Sequence, residues 1–127
     1  MFRPLLALVF LVLAGCSTQF VQEFPLARFK AEAALDRGIR EYDDGEYRVS
    51  ARTIQGALDA GLTTRSQARA HKYLAFMRCI AGEQPACREH FRLAFKADPR
   101  LELAPEESGH PIWDPVYRSV KQELAKK

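Results

Sequence analysis

Few side chains in this 127-residue sequence are suited to chemistry: three cysteines, three histidines and some paired carboxylates. Cys87 and His90 stand three apart in "RCIAGEQPACREH", a spacing that puts a thiol and an imidazole on one face of a helix. A free Cys87 could act there as a nucleophile with His90 as its base. Cys79, eight residues before Cys87, adds two further options, a metal pair or a redox couple. Zinc would call for CxxC spacing and more ligands, which His90 alone does not supply. His71, His90 and His110 are scattered and show neither HExxH nor another metal-ligand spacing. Glu106–Glu107 and Asp43–Asp44 are adjacent carboxylates in turn-like sequence, where solvated charge explains them. The sequence has no G-x-S-x-G, phosphate-binding loop or dinucleotide fingerprint. It therefore reads as a non-enzymatic chain with no metal and no small-molecule substrate.

The third thiol has a different setting. Cys16 closes "LVLAGCSTQ", behind Met1-Phe2-Arg3-Pro4 and an uncharged run from Leu5 to Gly15. A short positive start, an apolar core and small residues at its end are the marks of an export signal. The run is well short of the roughly 20 residues that span a bilayer as a permanent helix. Leu13-Ala14-Gly15-Cys16 resembles the bacterial lipobox, in which the cysteine takes a diacylglyceryl group and the chain is cut just before it. The resemblance implies removal of residues 1–15, a covalent lipid on Cys16 as the only attached group, and no other cofactor. Ser17 follows the cysteine where Asp would favour inner-membrane retention. By resemblance to the sorting rule of diderm bacteria, the lipidated chain is expected at the outer membrane, facing the periplasm. An ordinary signal peptide that happens to hold a cysteine is the competing reading.

Export changes the meaning of the remaining pair. An oxidising compartment permits a disulfide between Cys79 and Cys87. "AGEQP" between them reads as a turn, with Gly82 closing one helix and Pro85 opening the next. The two thiols would then end one helix and begin its antiparallel neighbour, a geometry that suits a bridge. Two buried free thiols, a metal pair and a redox couple remain alternatives. The loss of residues 1–15 takes away only Arg3, so the formal net charge falls by one from +3. With its basic residues spread along the chain, the protein is not expected to bind nucleic acid.

The elements that position these residues show as an internal repeat. Set residues 37–61 over 74–98, with Gly45 above Gly82. Gly38 then falls on Ala75, Tyr42 on Cys79, Ser50 on Cys87, Ile54 on Phe91 and Ala57 on Ala94, at an offset of 37 residues. Small residues recur where two helices must approach and large apolar ones where they interlock. The pattern resembles the tetratricopeptide repeat, a helix-turn-helix of about 34 residues. "KADP", ending at Pro99, matches its closing proline, whereas Ala34 and His71 stand where its opening aromatic often lies. The extra residues fall in "GLTTRSQ", where Thr64-x-x-Gln67 offers a capping box. The fold expected is all-α. After a lipidated tether over 16–25, helices near 26–44, 46–60, 64–81 and 84–97 form two hairpins across 26–99.

A Pro-rich turn and a capping helix follow over 100–127. Asp114 and Pro115 should open that helix, and Val116, Val120 and Leu124 form a stripe for packing on the second hairpin. Trp113 reads as part of the cap, with an exposed binding anchor as the alternative. In a tetratricopeptide array the first helix of each repeat forms the inner face. Carried over, that register gives Leu35, Ile39 and Tyr42 from the first unit, with Lys72 and Phe76 from the second, as a groove for a peptide or partner helix. The opposing expectation is that the tether or the tail covers several of them.

A narrower resemblance covers nearly all of the chain after Cys16. The lipobox, "YDDGEY", "AHKYLAFMRCIAGEQPACREHF" and above all "GHPIWDPVYRSVK" are similar to small lipoproteins associated with type VI secretion, the TssQ-like family. That resemblance implies a periplasmic accessory that assembles or positions an envelope-spanning machine through an envelope or secretion-system protein. Alternatives are a scaffold for pilus or outer-membrane protein assembly, and a peptidoglycan-remodelling enzyme or its activator.

Overall fold

The computed structural model describes the backbone of residues 19–127 and the side chains from Pro25 onward. The expected signal peptide (1–15) and the expected lipidation site Cys16 lie outside the described residues. Five helices follow in order: α1 (Gln19–Asp43), α2 (Tyr47–Ala60), α3 (Thr64–Ile80), α4 (Gln84–Ala97) and α5 (Asp114–Ala125). Among the described residues there is no strand. α1 packs on α2 and α3 on α4 as two antiparallel hairpins, α3 also touches α1 and α2, and α5 lies on α4.

The 37-residue offset reappears in the backbone, bond for bond. At the first turn, Glu46 N donates to Glu41 O and Gly45 N to Tyr42 O, each at 2.9 Å. At the second, Glu83 N donates to Arg78 O and Gly82 N to Cys79 O, at 2.9 and 3.0 Å. Each pair is a Schellman closure, which needs a left-handed residue just past the helix. Gly45 (φ +80°) and Gly82 (φ +76°) supply it where a side chain would be strained. The helices after each turn begin alike, with Ser50 N on Glu46 O and Cys87 N on Glu83 O.

Inside the hairpins the equivalent positions solve close approach differently. The Ser50 hydroxyl, fully buried, donates to Gly38 O at 2.6 Å, and Ile54 packs against Gly38 with no room for a Cβ. In the second hairpin, the Cys79 and Cys87 sulfurs sit at disulfide distance with their Cα atoms 5.0 Å apart. Phe91 takes the place of Ile54 and Ala94 that of Ala57, all fully buried or nearly so. Two apolar clusters result. One holds Ala31, Leu35, Ile39, Ile54, Leu62, Leu74 and Met77. The other joins Phe76, Phe91 and Phe95 to Trp113, Val116, Tyr117 and Val120 from the tail. Half-buried Tyr42 and Tyr73 touch both clusters. Burying large side chains from the tail is worth about 1.5–3 kcal/mol apiece, so the tail is part of the core rather than an appendage.

Three local expectations are corrected. α1 begins at Gln19, takes Pro25 into its length and leaves little of a flexible tether. The cap of α3 is Thr63, whose Oγ1 accepts from Ser66 N at 3.3 Å, while the Gln67 amide turns back to Leu62 O at 2.9 Å. Asp114 is the first residue of α5 rather than its cap. Its carboxylate spans the preceding loop, accepting from Gly109 N at 2.6 Å and from Arg118 Nε at 3.1 Å. The Arg118 hydrogen bond holds the Asp114 carboxyl below the usual aspartate range.

Candidate functional site

The inner face expected from the repeat register is occupied by the protein itself. Leu35 and Ile39 are buried in the first cluster and Phe76 in the second. The Trp113 ring stacks on Phe76 at 4.3 Å between centroids, and His110 covers its other side at 3.4 Å. Trp113 Nε1 donates to Glu107 O at 2.9 Å, which fixes the loop as well as the ring. Tyr42 sits among Tyr47, Tyr73 and Phe76, at 5.3, 5.1 and 6.3 Å between centroids. Burial raises its phenol pKa and that of Tyr73, so both stay protonated. Lys72 Nζ is bound to Glu107 Oε1 at 2.7 Å, with both side chains about nine-tenths covered. The five residues Leu35, Ile39, Tyr42, Lys72 and Phe76 are thus core and cap contacts, not an open groove. An apolar stripe in sequence does not say which other segment of the chain will cover it.

The tail follows this path because each loop group finds a partner. Asp98 Oδ1 accepts from Arg100 N at 2.9 Å and turns the chain after α4. Leu101 O then accepts from the Tyr117 hydroxyl at 2.7 Å. Glu107 Oε1 accepts from Ala104 N at 2.7 Å besides binding Lys72. Glu107 is therefore not the solvated turn carboxylate expected from its neighbour Glu106; it is buried. Its spacing to Lys72, 35 residues away, carries no local signal.

What the tail leaves open is a cleft of about 480 Å³ beside the Lys72–Glu107 pair. Arg65, Ser66, Arg69 and Lys72 of α3 form one wall, and Asp98, Arg100, Leu101 and Glu102 the other. Arg65, Arg69 and Lys72 follow one another at i, i+4 and i+7, so helix geometry lines them up. Their electrostatic states differ. Arg69 pairs with Asp36 across α1 at 3.2 Å. Glu102 is engaged by Lys121 at 2.9 Å, which holds its carboxyl below the usual range. Among the described residues neither the Arg65 nor the Arg100 guanidinium has a partner. The cleft presents two unpaired guanidinium forks, a geometry suited to carboxylate or phosphate.

The histidines scattered in sequence are not scattered in space. His71 on α3 and His90 on α4 bring their Nδ1 atoms to 3.1 Å, with rings 5.4 Å apart and nearly parallel. Burial lowers the pKa of both, and the neighbouring His71 takes His90 further down, to about 4. The pair is neutral near pH 7, one ring donating and the other accepting. Antiparallel α3 and α4 place residues 19 apart on facing turns, a juxtaposition that spacing rules for single helices do not detect. The Cys87–His90 dyad does not form, because Cys87 faces Cys79. Among the described residues no three metal-ligating side chains converge, and no helix is long and apolar enough to cross a membrane.

In comparison with known proteins, the chain matches no family model, no curated protein and no solved structure.

Proposed function

We propose that this protein is a non-enzymatic lipoprotein adaptor, held at the outer membrane through Cys16, whose helical domain docks an acidic segment of an envelope protein. The observation that carries the reading is the pair of unpaired guanidiniums, Arg65 and Arg100, on opposite walls of the open cleft. The tail already covers the apolar inner face, so recognition at the cleft falls to charge and hydrogen bonding. Such contacts favour specificity and speed of encounter over raw affinity. That profile suits an assembly factor that must find one site in a large machine. The resemblance to type VI secretion-associated lipoproteins supplies the machine: an envelope-spanning secretion apparatus.

The test is charge reversal at both walls, Arg65→Glu with Arg100→Glu, in cells that depend on the protein for secretion. Both side chains are solvent-facing and unpaired, so folding and membrane fractionation should be unchanged while secretion falls. Normal secretion by a double variant present at wild-type levels would refute the cleft as the docking site.

A further inference from the structure

A helix that starts almost at the lipid need not stand away from it. Only Ser17 and Thr18 separate Cys16 from the first residue of α1. Pro25 through Lys30 are all exposed, and the helix enters the core only at Ala31. One residue further, Glu32 meets the α2–α3 loop, accepting from Thr63 N at 3.2 Å and the Ser66 hydroxyl at 2.6 Å. Residues 25–30, about 9 Å of helix, therefore stand exposed before the first packed residue.

Among the described side chains of this stretch, the large apolar ones find no cover within the domain. Phe29 is 70% exposed and Leu26 53%, more than the other large apolar side chains with described exposure. Their i, i+3 spacing makes one patch. Lys30 follows Phe29 with positive charge on a long stem, which suits the phosphate level of a bilayer. Pro25 withholds an amide from the helix just before the patch and permits a bend there.

We propose that the N-terminal turns of α1 lie in the membrane interface, with Leu26 and Phe29 at the acyl boundary and Lys30 among the headgroups. The occupant of the patch is the lipid surface, because the chain leading from it ends in the lipid anchor just before α1. This inference rests on the lipid-anchor reading of Cys16. It adds that the anchored domain is held close to the bilayer and oriented by it, rather than standing on a stalk. The diacylglyceryl chains already supply firm attachment; an interfacial helix beside them adds orientation.

The experiment makes Phe29→Trp in the full lipidated chain, reconstituted into vesicles whose acyl chains carry bromine. Trp113, the only native tryptophan, is buried and gives the baseline. The control is Val49→Trp on α2, at a position that is also exposed. The proposal expects the emission added by Phe29→Trp to shift to the blue and lose at least half its intensity, with that added by Val49→Trp unaffected. If the chain floats with vesicles but the Phe29→Trp indole is quenched no more than the control, the interfacial helix is wrong and the anchor stands. A chain that does not float at all instead removes the anchor. A blue shift for Phe29→Trp without vesicles, in a Cys16→Ala background, would assign the patch to another protein surface and overturn the proposal.

Discussion

Two glycines inside helices should respond to alanine with opposite sign. Gly38 lies in α1 and Gly56 in α2, both at ordinary helical backbone angles. A Cβ on Gly38 would fall 2.5 Å from Ile54 Cγ1 and 3.3 Å from the Ile54 amide nitrogen. Ile54 is fully buried within the first cluster. The helices would have to move apart, at about 1–3 kcal/mol for overpacking of this kind. Separation would also stretch the 2.6 Å bond from Ser50 Oγ to Gly38 O, whose net worth is about 1 kcal/mol. Relief of glycine's backbone entropy offsets about 0.5–1 kcal/mol. Gly38→Ala therefore destabilises by about 1–3 kcal/mol. Nothing lies within 4 Å of a Cβ on Gly56, so only the entropic gain applies and Gly56→Ala stabilises by about 0.5–1 kcal/mol. At about 4–8 °C per kcal/mol for a domain near this size, the two melting temperatures should move apart by well over 5 °C. Thermal melts followed by far-UV circular dichroism under oxidising conditions measure both. Equal shifts, or a Gly38→Ala protein as stable as the parent, would show that the hairpin is not packed as described.

The bridge between Cys79 and Cys87 closes a short loop, so reduction or Cys79→Ser should cost about 2–3 kcal/mol; identical melts with and without reductant would count against it. Acid should weaken the fold in two stages. His71 and His90 have lowered pKa values in the folded state, so the unfolded chain binds more protons as pH falls. Their contribution is present above about pH 6.5 and is lost as pH falls to about 4, the value for His90. It amounts to no more than about 1–2 kcal/mol, because the rings retain solvent contact. Asp114, Glu102 and Glu123, held low by Arg118, Lys121 and Arg92, lose their contribution only further into acid. Denaturant melts across this range should show the first stage vanish in His71→Gln/His90→Gln, and an unaltered profile would contradict the pairing. Lys72→Ala strands the covered Glu107 carboxylate and should cost about 3 kcal/mol, with partial recovery in Lys72→Met/Glu107→Gln; full stability in Lys72→Ala would mean the pair is solvated.

Local chemistry made most of the fold legible in the sequence. Gly45 and Gly82 announce two turns, Pro85 and Pro115 two helix starts, and the small–large recurrence at an offset of 37 places two helix pairs face to face. These signals act within one turn or one hairpin, where sequence distance and spatial distance agree. Whether the inner face is open or covered is not legible in the sequence, for the opposite reason. Whether Phe76 is a docking surface or core depends on Trp113, whose contact with it comes from the far side of α4 and a proline-rich loop. Glu107 beside Lys72 and His90 beside His71 are likewise products of chain path. The cleft arginines carry no signature of their own, since a partner for Arg65 or Arg100 is excluded only once every carboxylate nearby has been placed. Pro25 suggested a helix boundary, yet α1 continues through it back to Gln19. Proline at the seventh position of α1 removes one i→i−4 hydrogen bond without ending the helix.

The adaptor reading meets its most direct test in living cells. A photoreactive residue at Glu102, in the cleft lining but outside the two guanidiniums, is placed in the lipidated chain with a control at Val49, and the captured protein is identified after activation. An adaptor captures one envelope component of the secretion apparatus through an acidic segment from Glu102, not from Val49, and loses it in Arg65→Glu/Arg100→Glu. Capture of the same proteins from both sites, or of none from Glu102 in cells actively secreting, would contradict the reading.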